Sequence, residues 1–455
     1  MEDYTLIAVP GITDPIRGGF DGPILHIVRH YTPKNVVLLL SEEIAKTELV
    51  YHHNEEAIRL LNPECLVEVV NTGIKNVFSY DDFSLILLHM CKNYQKKYPN
   101  NRIILNISSG TPQMNTAFCM IVLANPERYL AVQVLNPENS STKTVPFDPQ
   151  KELIEEVFEN NCDNLEGAPN RCRETSLLNF RRPMVQFQIE SLIHNYDYAG
   201  AYQLYMENAS VFDDEVGMLL LHAQKRLNLE YEEAEKIARD NNKKDELYLN
   251  KRADISELVD YFNSMKVMQF RGELNDFALR IEIMLVYLGK YVLEKCMHIN
   301  IEDITTKRIT KIGSIQYFTS KEKCENKVPG ISEYLDKIFV ETRSAGFEWG
   351  KPLNGLFSIY VVSFLSKGEI FKKYEESAKE MLSWATSSGN LRNPAAHSII
   401  SITDKNFREA FGKTSAKLCN AMYAVLRRVF GSEVVLESFD IFDRINVMIE
   451  TALEK

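Results

Sequence analysis

The sequence predicts an α/β domain with a mostly parallel, doubly wound sheet, followed by an all-helical remainder. Three observations predict it. Over the first 135 residues, short β-branched runs alternate with stretches of helical period, and the runs are almost continuously apolar, as strands buried on both faces are. From about Asp148 the strand signal fades, and residues 152–182 are polar and acidic, which marks a seam. Beyond it, apolar residues recur three and four apart, as on amphipathic helices.

In order, strands are predicted at 5–9, 35–40, 66–70, 102–107 and 129–135. Helices are predicted between them at 22–31, 42–61, 81–98 and 111–124. Helical periodicity then covers 184–204, 214–227, 231–241 and 255–293, and resumes from about 332 to the C-terminus with a break at 387–390. The chain of 455 residues thus divides into an α/β domain at 1–170, connecting helices at 171–255 and a helical domain at 256–455. Ligands of a doubly wound sheet bind at the carboxyl ends of its strands.

Composition narrows the function. With 63 acidic against 52 basic residues the formal charge is -11, which argues against stable duplex DNA binding, a grip driven by phosphate neutralisation. The longest apolar stretch, 356–365, is short of the roughly 18 residues that a membrane span needs. The opening MEDYTLIAVPG places acids before a short apolar run, unlike a secretory signal, so a cytoplasmic protein without a membrane partner is expected. Eight scattered cysteines form no CxxC pair and have no histidine at zinc spacing, so free buried thiols and no metal are expected.

Some motifs mislead. Gly412-Lys413-Thr414 ends like a phosphate-binding loop, but Phe407 stands where the motif requires glycine. The glycine-rich run 17–22 is not GxGxxG. His52 and His53 are neighbours on a predicted helix, where they point about 100° apart, and suit solvated surface better than a ligand pair.

Two segments suit anions. In Asn106-Ile107-Ser108-Ser109-Gly110-Thr111-Pro112-Gln113-Met114 a buried strand ends, and Thr111 and Pro112 read as N-cap and first residue of a helix. Its free amides and positive dipole end, with the hydroxyls of Ser108, Ser109 and Thr111, would meet an anion, although such residues also serve as simple caps. Pro10-Gly11-Ile12-Thr13-Asp14 supplies a second loop on the same sheet edge. In Leu391-Arg392-Asn393-Pro394-Ala395-Ala396-His397, Asn393 and Pro394 read as cap and start of another helix. Arg392 and His397 can then face one phosphate, with His397 held uncharged by the positive helix end. Nine histidines in the chain make one R-x4-H spacing a common coincidence, so its setting in a helical domain carries the weight.

Together the loop PGITD at 10–14, SSGTPQM at 108–114 and RNPAAH at 392–397 resemble the CARF/HEPN ribonucleases of type III CRISPR systems over nearly the whole length. The resemblance implies a Rossmann-like CARF domain that senses cyclic oligoadenylate, a helical linker, and a C-terminal HEPN domain that cuts single-stranded RNA without metal as a homodimer. It implies that Arg392 and His397 are catalytic with Asn393 beside them, and that Pro10, Gly11, Thr13, Ser108, Ser109, Gly110 and Thr111 hold the ring. Hexa-adenylate is favoured over tetra-adenylate as activator, and slow cleavage of the ring by the sensor domain is a further implication. The competing reading is a non-catalytic nucleotide sensor that controls a protein partner.

Overall fold

The structure, a computed structural model, describes residues 3–137, 146–309, 315–343, 345–353 and 355–455. The chain forms two units, Met1–Met184 and Val185–Lys455.

The first unit is built on strands β1 (Tyr4–Ala8), β4 (Asn35–Leu40), β5 (Leu66–Asn71), β6 (Arg102–Asn106), β7 (Tyr129–Val134) and β8 (Cys172–Thr175), with a small hairpin of β2 (Ile16–Arg17) and β3 (Phe20–Asp21). The sheet order is β5-β4-β1-β6-β7-β8, parallel except for β8, which runs antiparallel to β7. All six residues of β4 are buried, the condition that its continuous apolar run signals. Alternate residues serve opposite layers. Leu6 and Ala8 pack with Ile24 and Val28 of α1 (Pro23–Tyr31) and Ile58, whereas Ile7 and Val9 pack with Phe83, Leu87 and Phe118. The chain passes outward from β1 through β4 to β5 and returns to β6 on the other side of β1, so the winding reverses between β1 and β6.

The helix expected at 42–61 is two: α2 (Glu42–Tyr51) and α3 (His53–Leu61), parted by His52 in the left-handed region at φ 50°. His52 is exposed, but His53 is buried with its Nδ1 3.1 Å from Glu48 Oε2, which corrects the surface reading of that residue. The buried Glu48 carboxylate accepts N–H groups of Asn54 and Glu55, so it knits the two helices at their break. Helices α4 (Tyr80–Lys97) and α5 (Pro112–Ala124) complete the layers. The glycine-rich run is the tip of the β2–β3 hairpin, with Gly18 and Gly19 at φ 60° and 78° as a two-residue turn of this kind requires.

The second unit is mostly helical. One core joins helices Ala253–Phe270, Leu274–Tyr291, Phe357–Leu365, Glu375–His397 and Ser415–Phe430. Another joins residues 185–249 to Ile441–Leu453, the last helix of the chain. The buried Arg226 binds both oxygens of the buried Asp260 at 3.0 and 2.7 Å. An antiparallel hairpin, β9 (Thr305–Ile309) with β10 (Ile315–Thr319), interrupts the expected run of helices. All eight cysteines are free, five of them buried as expected, with Cys119 and Cys296 half-buried and Cys162 exposed. No helix among the described residues is long and apolar enough to cross a membrane.

Candidate functional site

Two groups of sequence-selected residues are placed in separate units. The first group sits at the winding reversal of the sheet. Adjacent strands β1 and β6 are in register from Tyr4 with Arg102 to Ile7 with Leu105, so the loops that follow them, 9–14 and 107–111, emerge side by side. They touch through backbone: a Cβ on Gly11 would lie 2.7 Å from the nitrogen of Gly110. Gly110 itself has φ 75°, a conformation natural to glycine. Pro10, Gly11, Thr13, Ser108, Ser109, Gly110 and Thr111 are therefore on two loops in contact at this sheet edge, with Pro10 and Ser109 buried and Gly110 exposed.

The hydroxyls expected to meet an anion also build the loop. Ser108 Oγ accepts the N–H of Val134 at 2.7 Å, and its own N–H donates to Asn106 Oδ1 at 2.9 Å. Asn106 Nδ2 donates to Ser109 Oγ at 2.8 Å. Thr111 caps α5 by accepting the N–H of Met114 and donates to the carbonyl of Val77 at 2.9 Å, while Pro112 is the first helical residue, as the sequence predicts. The Val77 contact brings a third segment, 72–79, to the same edge.

Asp14 is the residue that sequence reasoning missed, although it stands in the PGITD motif. Its buried carboxylate accepts the N–H of Gly11 at 3.0 Å and of Ile24 at 3.1 Å, and Ser109 donates to it, so one side chain ties both loops to the start of α1. Burial raises its pKa to about 6, against the lowering effect of the Gly11 and Ile24 amides and the Ser109 hydroxyl. The folded state therefore holds this proton more tightly than the unfolded chain does. The associated stability is complete below pH 4 and is lost as pH rises through about 6, roughly 3 kcal/mol in all. Urea unfolding of Asp14→Asn and of the parent between pH 4 and 7.5 should differ in slope by that group; parallel profiles would refute it.

Among the described residues, Asp21, His26 and Asp163 place possible ligand atoms within 4.8 Å of one another. Arg29 Nε lies 2.6 Å from Asp21 and Arg171 Nη2 lies 2.7 Å from Asp163, so guanidinium groups already fill the role of a cation. The cluster is a buried ion-pair network that fastens α1 to the segment before β8.

The second group requires a correction. Asn393 is not a cap and Pro394 does not start a helix: the helix Glu375–His397 runs through both and ends at His397, and the expected break at 387–390 is absent. An interior proline costs about 3 kcal/mol. Against this, the buried stripe Met381, Trp384, Ser388 and Leu391 continues in phase to Ala395 on the same core, and a large buried side chain contributes roughly 1.5 to 3 kcal/mol. The Ser398 N–H then bonds the Pro394 carbonyl at 3.0 Å. The positive helix end expected beside His397 is absent; the end there is the carboxyl one, of opposite sign.

Arg392, Asn393 and His397 are all exposed. Asn393 and His397, four apart, share a helix face, whereas Arg392 and His397 are about 140° apart around the axis and about 7.5 Å apart along it. Arg392 Nε lies 3.5 Å from Glu282 Oε2 on the neighbouring helix Leu274–Tyr291, a contact that the spacing of the motif does not signal. Asn275, the second residue of that helix, donates to the Ile400 carbonyl at 2.9 Å and accepts the Ile402 N–H at 2.8 Å, so it clamps the segment after His397.

Comparison with known proteins finds three domain models along the chain. The Cas_Csm6 CARF domain model matches residues 66–172, the Csm6 6H domain model 175–227 and the Cas_Csm6 HEPN domain model 247–450. A CRISPR system endoribonuclease Csm6 of Mycobacterium tuberculosis is 28% identical over 439 residues, 96% of this chain and 95% of that protein. The Csm6 endoribonuclease of Enterococcus italicus is 35% identical over 202 residues, a match that spans 43% of this chain and 46% of that protein. The solved structure of Enterococcus italicus Csm6 bound to cyclic hexa-2'-fluoro-hexa-dAMP shares the fold, with a TM-score of 0.72 at 24% identity over 99% of both chains. Three domain models in this order, over a parallel-sheet unit and a helical one, make the chain a member of the Csm6 family of CRISPR-associated endoribonucleases, with a CARF domain followed by a HEPN domain.

Proposed function

We propose that the protein is a single-strand endoribonuclease switched on by cyclic oligoadenylate, and that it works as a homodimer without a metal. The observation that carries this reading is the exposure of Arg392, Asn393 and His397 on the final turns of one helix inside the HEPN-matched region. RNA brings its own nucleophile, the ribose 2'-hydroxyl. One His397 of the dimer takes the 2'-hydroxyl proton as that oxygen bonds to phosphorus, the bond from phosphorus to the 5'-oxygen breaks, and the second His397 gives a proton to that leaving oxygen. Arg392 steadies the charge that develops on the phosphate, and Asn393, on the His397 face, orients the substrate. Because Arg392 and His397 diverge around the helix, a second copy facing the first completes the cluster across a twofold axis. Products then end in 2',3'-cyclic phosphate.

The ring sits over the Gly11–Gly110 contact, with Pro10, Thr13, Ser108, Ser109 and Thr111 around it and the first turn of α5 directed at its phosphates. Hexa-adenylate is favoured over tetra-adenylate because the structural relative holds a cyclic hexanucleotide analogue. Slow ring cleavage at Thr111 has less support, since that hydroxyl already donates to Val77. Binding acts on cutting only if the ring prefers the cutting-competent arrangement.

Incubating labelled RNA with and without synthetic cyclic hexa- and tetra-adenylate tests the reading. Ring-dependent fragments with cyclic phosphate ends that survive chelator support it; intact RNA in every lane leaves the non-catalytic sensor. Glu282 serves as a positioning residue for Arg392. Glu282→Ala is expected to lower kcat about tenfold with little change in KM, and Glu282→Gln to recover most of the loss, a split that steady-state kinetics resolves.

A further inference from the structure

The helical unit contains a cavity of about 380 Å3 between helices Ala253–Phe270, Ser415–Phe430 and Ile441–Leu453, within the roughly 300 to 1,000 Å3 range of small-ligand pockets. Its polar inventory restricts what can enter. Asn263, 2% exposed, donates its Nδ2 to the Ser438 carbonyl at 2.8 Å, but its buried Oδ1 accepts no hydrogen bond. A buried acceptor of this kind destabilises the fold unless a donor arrives. The two carboxylates at the rim are already answered: Asp440 by Lys266, and Asp443 by the Tyr196 hydroxyl at 2.5 Å with Lys266 at 3.9 Å. Lys266 is the one cation among the described lining residues and both carboxylates hold it, so none is left to take a phosphate. The walls are aromatic, with Tyr196 edge-on to Phe270 at 5.3 Å and 88°, and Phe270 is 59% exposed at the mouth.

A neutral, planar group that carries an N–H donor satisfies all three features. The position of the mouth indicates its source. Gln269 at the rim donates to Ser415 Oγ, and the Ser415 N–H donates to Asp404. Phe270 is followed within five residues by Asn275, whose side chain clamps Ile400 and Ile402. The cavity thus opens beside the segment that leaves His397. We propose that it is a nucleobase subsite, which takes one base of the single-stranded RNA flanking the scissile phosphate, with Phe270 as stacking surface and Asn263 Oδ1 accepting from the base. The proposal rests on the ribonuclease reading above.

The test fills the mouth without disturbing the core. Ala416 is exposed at the second position of its helix and lines the cavity, so Ala416→Phe should fold and obstruct entry, whereas Ala416→Ser leaves the opening free. Phe270→Ala removes the stacking surface. Fluorescence anisotropy with a labelled single-stranded RNA, on full-length protein that also carries His397→Ala, reads binding without cleavage. The expected result is a Kd raised roughly 5- to 150-fold by Ala416→Phe and by Phe270→Ala, the range for loss of one stacked base, and unchanged by Ala416→Ser. In the cutting protein, the same two variants should raise KM and weaken base preference beside the cut, with kcat retained. A parental Kd in both variants would overturn the subsite. A parent that binds RNA but never cuts it would overturn the ribonuclease reading alone, since the anisotropy result decides the subsite independently.

Discussion

Replacing Arg392 and His397 together with alanine is expected to abolish ring-dependent RNA cutting, a loss of at least 10² to 10⁴ from the proton-transfer group alone. Electrostatic stabilisation of the phosphate adds to it, and residues that act as a unit do not add, so each single variant should lose nearly as much as the pair. Both side chains are exposed and contribute little to packing, so the double variant should unfold at the same urea concentration as the parent and bind the ring with parental affinity. A double variant that cuts at the parental rate would remove the catalytic assignment.

Gly11→Ala is expected to carry the other large effect, in the sensor. A methyl group there would stand 2.7 Å from the backbone nitrogen of Gly110, and neither loop has a flexible side chain at that contact to yield. One loop must move, and with it the amides and hydroxyls that the ring would meet. Loss of two such hydrogen bonds, at about 1.5 kcal/mol each, lowers ring affinity roughly hundredfold. Gly167→Ala is the control: φ is 84° there, but nothing lies within 4 Å of the added carbon, so it should cost about 1 to 2 kcal/mol of stability and leave ring affinity alone. Calorimetric titration with the ring measures both variants, and parental affinity in Gly11→Ala would refute the close-approach argument.

The first unit was largely legible because its strands bury both faces. Residues 35–40 form a strand with the bounds that the apolar run predicts, and α5 starts at Pro112 behind a Thr111 cap. Elements fixed by few residues left a weaker trace. The left-handed His52 divides a helix that is continuous in its apolar period, and each strand of the β9–β10 hairpin has only five residues, with no sheet beyond its partner. At the catalytic candidates local grammar failed for a different reason. Asn393-Pro394 has the form of a helix start, but Leu391 and Ala395 keep the chain on the core, and that phase extends over the preceding turns, beyond the window in which cap residues act. Asp14 and Glu282 escaped notice because Ile24 and Ser109, which Asp14 joins to Gly11, and Arg392, which Glu282 holds, lie 10 or more positions away.

The same packed stripe sets how the HEPN site can be regulated. With Leu391 wedged inward and its outward neighbours Arg392 and Asn393 borne on the same turn, the functional groups have no independent hinge. On the proposed reading, a signal that realigned them against a second copy would have to tilt or slide the rod as a whole, so substitutions at the buried Met381 and Trp384 would tune the switch.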